Sequence, residues 1–343
     1  MTMLSLFKFL CFALVIFGVS TSLISASREL SEKPLLMRHE QWMSKHGRVY
    51  KDAAEKAYRF GIFKANMELI ESFNAGNHKY KLGANQFADL TTDEFKTICS
   101  GYHPPLMSAV KATEGFAYEN MTEVPSSMDW RGKGAVTSVK HQGHCGSCWA
   151  FSAVAAVEGI TQIKSGNLIS LSEQELMDCD TNAENQGCKG GHMARAFEFI
   201  INNEGLSTEA SYAYKGVNGN TCNSEKSFSH PVTINGFENV PSNDESALLK
   251  AVANQPVSVA VDAGSYAFQL YSGGIFTGDC GTDLNHGVTV VGYGMERDGT
   301  KYWLVKNSWG SSWGENGYIK IERDVGTEEG LCGIAMQASY PTA

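Results

Sequence analysis

Between Glu55 and Asn74 the apolar residues Tyr58, Ile62, Met67, Leu69, Ile70 and Phe73 recur at spacings that largely fit a helix with one buried face. Thr91 followed by Glu94 reads as a capping box opening another helix, so residues 29–100 are expected to be helical. From Ser100 to Pro125 the periodicity dissolves into Gly, Pro, Ser, Thr and charge, the composition of a linker open to proteolysis. Helical periodicity returns over Trp149–Ile163 and Met193–Ile201. Capping boxes are expected at Ser172–Glu175 and Ser242–Glu245. Strand-like runs then take over at Val257–Val261, Gly287–Val291, Tyr302–Val305 and Tyr318–Ile321. A helical half before a β-rich half predicts an α+β protein of two lobes, with a binding cleft at their seam.

The N-terminus carries one apolar run, Phe9 to Val19, behind the single charge Lys8 and ahead of small residues through Ser27. That is the pattern of a secretory signal removed near Ala26, and the run is short for a bilayer span. Cys11 leaves with it, and no membrane anchor is expected in the remaining chain. At 343 residues the chain has room for about two domains. Its 43% apolar and 19% charged residues exclude wholesale disorder. The net charge of −9 argues against an electrostatic nucleic-acid binder, and the acidity is confined to the part after Val124. Asn120-Met121-Thr122 is the single N-glycosylation acceptor.

Cysteine usage narrows the chemistry. Of nine cysteines, seven lie between Cys145 and Cys332, and an odd number in an oxidising compartment reads as three bridges and one free thiol. Cys148 follows Gly143, Gly146 and Ser147 and opens a helix-compatible run. At a helix N-terminus, unpaired N–H groups and the dipole favour a thiolate and lower its pKa. A Cys145-x-x-Cys148 redox pair is the competing reading, although no compact βαβ setting surrounds it. Zinc would need a second ligand pair with the right spacing, and none is present. Neither metal nor cofactor is expected.

The string Gln142 to Ser152 resembles the nucleophile segment of the papain family of cysteine proteases. Asp129-Trp130-Arg131, Gly187 to Gly191, Asn285-His286-Gly287, Gly292-Tyr293-Gly294 and Lys306 to Gly310 follow in the family's order, so the likeness covers residues 124–343. The resemblance implies a helical left lobe, a β-barrel-like right lobe and a cleft between them. It implies Cys148 as nucleophile, His286 as base and then acid, Asn307 orienting the imidazole, and Gln142 donating to the oxyanion beside the Cys148 N–H. Trp309 would shield the His286–Asn307 contact. Gly190 and Gly191 would pair with extended substrate. Met193, Ala260, Leu284 and Gln337 would line the pocket for the second residue before the scissile bond (P2), favouring Leu, Val or Phe. Asn285 stands where papain itself has Asp. His141 and His144 read as surface groups, and the implied bridges are Cys145–Cys188, Cys179–Cys222 and Cys280–Cys332.

Upstream, Glu55-x₃-Arg59-x₂-Ile62-Phe63-x₂-Asn66-x₃-Ile70-x₃-Asn74 and Gly83-x-Asn85-x-Phe87-x-Asp89 resemble the prosegment motifs of cathepsin L-like zymogens. The expected organisation is therefore a signal at 1–26, an inhibitory propeptide at 27–123 and a mature peptidase domain at 124–343. Cys99 falls outside the family's pairing pattern. Protonation of carboxylates such as Glu55 and Asp89 would loosen the leader and give acid activation. Protein and peptide substrates, the chain's own propeptide and cystatin-type inhibitors are the expected partners of a monomeric endopeptidase. An acidic vacuole or lysosome-like compartment is the expected destination, with the extracellular space as the alternative. The competing functional classes are a non-catalytic binding protein of the same fold and a thiol–disulfide oxidoreductase.

Overall fold

A computed structural model describes residues 33–343, apart from 105–114, 182–183, 220, 224, 226 and 228. The expected secretory signal, Cys11 with it, lies outside the described residues. The chain divides into two compact units, one reaching to Leu69 and one running from Ile70 to the C-terminus. In the first, a helix over 33–46 (α1) precedes most of α2 (Ala53–Ala75). Asp52 caps α2 by accepting the Glu55 N–H at 2.8 Å. Trp42, Phe63 and Met67 are buried, and the His39 ring lies 4.9 Å from that of Phe63. The buried stripe of α2 runs Phe63, Met67, Ile70, one position around from Tyr58 and Ile62. Tyr58 faces outward instead, under the Arg59 guanidinium at 5.4 Å.

The second unit holds β1 (Tyr80–Leu82), α3 (Thr92–Cys99), β2 (Met128–Asp129) and the long α4 (Cys148–Ser165). After α5 (Glu173–Cys179) and α6 (Met193–Asn202) come β3 (Gly236–Asn239), α7 (Glu245–Asn254) and β4 (Val257–Val261). The chain ends with α8 (Tyr266–Gln269), β5 (Tyr271–Phe276), β6 (His286–Met295), β7 (Lys301–Lys306), β8 (Tyr318–Glu322) and β9 (Ala338–Thr342). The strands form a sheet ordered β1-β5-β8-β7-β6-β4-β9-β3, with β2 added to β6. Among these strands only β5 and β8 pair in parallel. Helix α4 is buried almost all round from Cys148 to Ile160, which is why its sequence is apolar on every side. Gly166, in the left-handed region at φ 77°, ends it.

The capping boxes have three outcomes. At α3 both arms form, Thr91 with the Glu94 N–H and Glu94 with the Thr91 N–H. At α5 only Ser172 caps, because the Glu175 carboxylate turns to the Ser207 N–H at 2.7 Å. At α7 the cap is Asp244, two residues after Ser242. Ser242 instead donates to the Met336 carbonyl at 2.7 Å, and Glu245 accepts from the Trp303 indole at 2.8 Å. In each failure a distant tertiary partner takes the side chain.

Candidate active site

Cys148 is the first residue of α4. Its N-cap, Ser147, makes no side-chain cap; the Ser147 hydroxyl pairs with Tyr214 Oη at 2.8 Å. The Ala150 N–H goes to the Ser147 carbonyl, and the Cys148 and Trp149 amides are left for the sulfur. Backbone N–H groups of Gly287, Trp149, Cys148 and Gly101 all favour its thiolate. Burial outweighs them and pushes the thiol from 9.0 up to about 12. The sequence suggests a lowered pKa; the opposite holds here because Cys148 is fully buried.

The other groups converge on the same helix end. Gly287 follows His286 at the start of β6, and a methyl built on it would meet the Cys148 carbonyl oxygen at 3.3 Å. His286 Nε2 pairs with Asn307 Oδ1 at 2.8 Å, and the same oxygen accepts the Ser308 N–H. The indole of Trp309 stacks on the imidazole with centroids 4.5 Å apart, and all three residues are buried. Gln142 is locked from both ends: its Nε2 donates to the Cys145 carbonyl at 2.8 Å and its Oε1 accepts from Ser308 Oγ at 2.6 Å. An amide nitrogen carries two hydrogens, so one remains for another acceptor. Such a set can supply a nucleophile, a proton carrier with a fixed edge, and oriented N–H donors.

The leader lies directly on this site. The Gly101 and Tyr102 N–H groups both donate to the Asn285 carbonyl, at 3.0 and 3.1 Å. Gly191 N–H donates to the Gly101 carbonyl at 2.9 Å, and His103 N–H to the Gly191 carbonyl at 3.0 Å. Tyr102 thereby bridges Gly191 in parallel sense. Its ring enters one buried cluster with Met193 and Ala260, against which Leu284 packs, while Gln337 is half-buried and donates no wall to that cluster. A side chain on Gly190 would strike the His103 ring at 2.7 Å, so the glycine admits the strand. Asn285 braces the turn beneath through Asp262 Oδ1 at 2.9 Å. Upstream, Gln86 Nε2 reaches the Trp309 carbonyl at 2.6 Å, and the Phe87 and Phe95 rings meet the Trp309 indole edge-on at 5.5 and 5.2 Å.

Bridges join Cys145 to Cys188, Cys179 to Cys222 and Cys280 to Cys332, so Cys145 is not available as a redox partner for Cys148. Asn120, His141 and His144 are exposed. Among the described residues no group of three or more His, Cys, Asp or Glu is arranged to hold a metal. Ser308, Tyr102 and Tyr214 were not flagged by the sequence. Their roles depend on contacts far away along the chain, such as Ser308 and Tyr214 with Gln142, apart from the Asn307 amide beside Ser308.

A buried thiol at a helix start, an imidazole–amide pair beside it and a leader strand across both define the proform of a cysteine hydrolase. The chain belongs to the papain family of cysteine proteases, whose family model matches residues 124–342; residues 39–95 match the cathepsin propeptide inhibitor domain. A senescence-specific cysteine protease of Oryza sativa subsp. japonica is 56% identical over 98% of this chain and 99% of the relative. Vignain of Ricinus communis is 54% identical over 97% and 94%. Among solved structures, a recombinant stem bromelain precursor superposes with TM-score 0.83 at 49% identity, covering 90% of this chain and 99% of that one. The proform of a ragweed pollen cysteine protease gives TM-score 0.83 at 43% identity, over 91% and 86%. The protein is thus a cysteine endopeptidase made as a proenzyme with its own propeptide inhibitor.

Proposed function

We propose that Cys148 attacks the scissile carbonyl carbon as a thiolate. The C=O electron pair moves to oxygen, where the Cys148 N–H and the Gln142 side-chain amide receive it. Collapse breaks the C–N bond, and the His286 imidazolium gives its proton to the leaving amine. Water then attacks the thioester with His286 as base, releasing the acid and restoring the thiol. Asn307 holds the imidazole edge, and Trp309 keeps water from that contact, strengthening it in a lower dielectric. The single observation behind this reading is the 2.8 Å His286–Asn307 pair set against the first turn of α4. His286→Ala and Cys148→Ser should each abolish peptide hydrolysis while the proenzyme still unfolds cooperatively, the histidine variant at a lower Tm because a buried, stacked ring is lost. Hydrolysis surviving in His286→Ala would refute the assignment.

The finer parts of the proposal concern specificity and activation. The apolar surroundings of Tyr102 (Met193 and Ala260, with Leu284 against them) support a P2 pocket that prefers Leu, Val or Phe, and Gln337 is assigned to that pocket by the family resemblance alone. A peptide library favouring Arg over Leu at P2 would overturn it. We place the boundaries at 26 and 123, with removal of the leader near Val124 in acid. Glu55 accepts a backbone N–H from Lys51 at 2.8 Å, and Asp89 is buried, so neither stands in a simple surface ion pair. Better support for acid release comes from His192, whose ring lies 5.4 Å from Tyr102 and is pushed down to about 4, chiefly by burial. Protonating it would place an imidazolium beneath the leader strand. The compartment is proposed to be acidic and vacuole-like, with the enzyme a monomer open to cystatin-type inhibitors and Asn120 a glycan acceptor.

A further inference from the structure

The leader touches the peptidase again just before the mature chain begins, away from the cleft. The Phe116 and Tyr118 rings lie 6.3 and 5.4 Å from that of Tyr340. Tyr118 Oη donates to Gln255 Oε1 at 3.2 Å, and the Ala117 N–H donates to Glu238 Oε2 at 2.8 Å. Lys250 Nζ reaches the Glu119 carbonyl at 3.0 Å. The receiving groups come from three elements: Glu238 on β3, Tyr340 on β9, and Lys250 and Gln255 at the end of α7. They are fixed independently of the leader, since Tyr340 Oη also donates to Glu238 and Gln255 Nε2 donates to the Pro341 carbonyl.

Beyond this patch Thr122 and Glu123 are exposed, and the Pro125 carbonyl then accepts from Tyr293 Oη at 2.9 Å. A cut near Val124 therefore falls between two anchors, and the upstream anchor stays with the leader. We propose that the β3–β9–α7 patch is a binding site for the C-terminal end of the severed leader, an aromatic-Ala-Tyr-acidic peptide, and that it keeps the cut leader on the enzyme. The inference rests on the boundary near Val124 put forward above. Two attachments on one chain, the Gly101–His103 strand and the Phe116–Glu119 clamp, make rebinding of either one intramolecular. Cutting then does not by itself open the cleft; release waits until both attachments are broken.

The test uses the full chain carrying Cys148→Ala, with a site-specific protease sequence inserted between Thr122 and Glu123. After complete cleavage, leader retention is followed by size exclusion on dilution. With Phe116→Ala and Tyr118→Ala together, the leader should leave at least tenfold faster than from the parent, and Lys250→Ala on the receiving side should speed release in the same direction. Equal release rates in all three would overturn the proposal. N-terminal sequencing of the naturally matured enzyme judges the boundary separately: a mature chain beginning upstream of Phe116 would sink that reading, while the inserted site still decides whether the patch binds.

Discussion

Gly101→Ala should unmask the nucleophile while the leader is still covalently attached. A methyl there would sit 2.2 Å from the Gly146 carbonyl oxygen, 2.4 Å from its carbon and 2.6 Å from its Cα. Gly146 cannot retreat, because its own N–H is bonded to the Cys188 carbonyl at 3.0 Å and the adjacent Cys145 is bridged to Cys188. The leader strand must lift instead. Lifting breaks the four backbone bonds that tie Gly101, Tyr102 and His103 to Asn285 and Gly191. At about 0.5–1.5 kcal/mol net for each bond, the loss is roughly 2–6 kcal/mol. The thiol gives the readout. Burial holds the thiol above its ordinary 9.0, up to about 12, so less of it is thiolate at neutral pH and alkylation slows. Iodoacetamide labelling of the intact proenzyme at pH 7, read at Cys148 by peptide mass, should therefore be at least tenfold faster in Gly101→Ala than in the parent. Equal rates with the leader intact would show that this strand does not govern the thiol.

Gln142→Ala should lower kcat by about 10²–10³, the usual effect of losing an oxyanion donor, and Asn307→Ala by about 10–100, as expected for one hydrogen bond to a charged group. Steady-state kinetics on matured protein would check both, and an unchanged kcat in either variant removes that residue from its proposed role. His192 supplies a pH signature. It titrates near 6.5 when exposed and near 4 when folded, so the unfolded chain binds the extra proton between those values. Stability from this group is complete above pH 6.5 and is lost as pH falls toward 4, by roughly 3 kcal/mol in all. On the Cys148→Ala background, His192→Asn keeps a cap acceptor for α6 and should flatten the fall of Tm across that window. A slope identical to the parent's would clear His192 of the effect.

How much of this was readable in the sequence depended on where each residue's partner lies. Val257–Val261 is a strand because five consecutive residues are buried, and its apolar run marks it without any tertiary knowledge. Strand β5 carries Gly273 and Gly274, and β9 carries Pro341, so neither has the β-branched alternation that would reveal it. Thr91 and Glu94 serve each other and are legible as a pair; Glu175 and Glu245 are claimed by Ser207 and Trp303, which local spacing cannot show. The segment around Cys148 announced a nucleophile, yet the state of its thiol was hidden. That state is set by burial, which outweighs the N–H groups of Gly287, Trp149, Cys148 and Gly101 that favour the thiolate, and three of those four donors lie outside residue 148 itself. Tyr102 was likewise invisible within a Gly- and Pro-containing linker, because its meaning lies in the Met193–Ala260 cluster it enters.

The central claim is a proenzyme whose leader, once removed in acid, uncovers Cys148 as the catalytic nucleophile. The direct measurement is incubation of the purified full chain with reductant at about pH 5, where Asp and Glu begin to protonate, in the presence of a thiol-directed peptide epoxide. Intact mass and label position are followed together, with Cys148→Ala as the control. The account predicts loss of the leader near Val124 and one label, on Cys148, with none in the control. An intact chain without label, or a label that persists in Cys148→Ala, would contradict it.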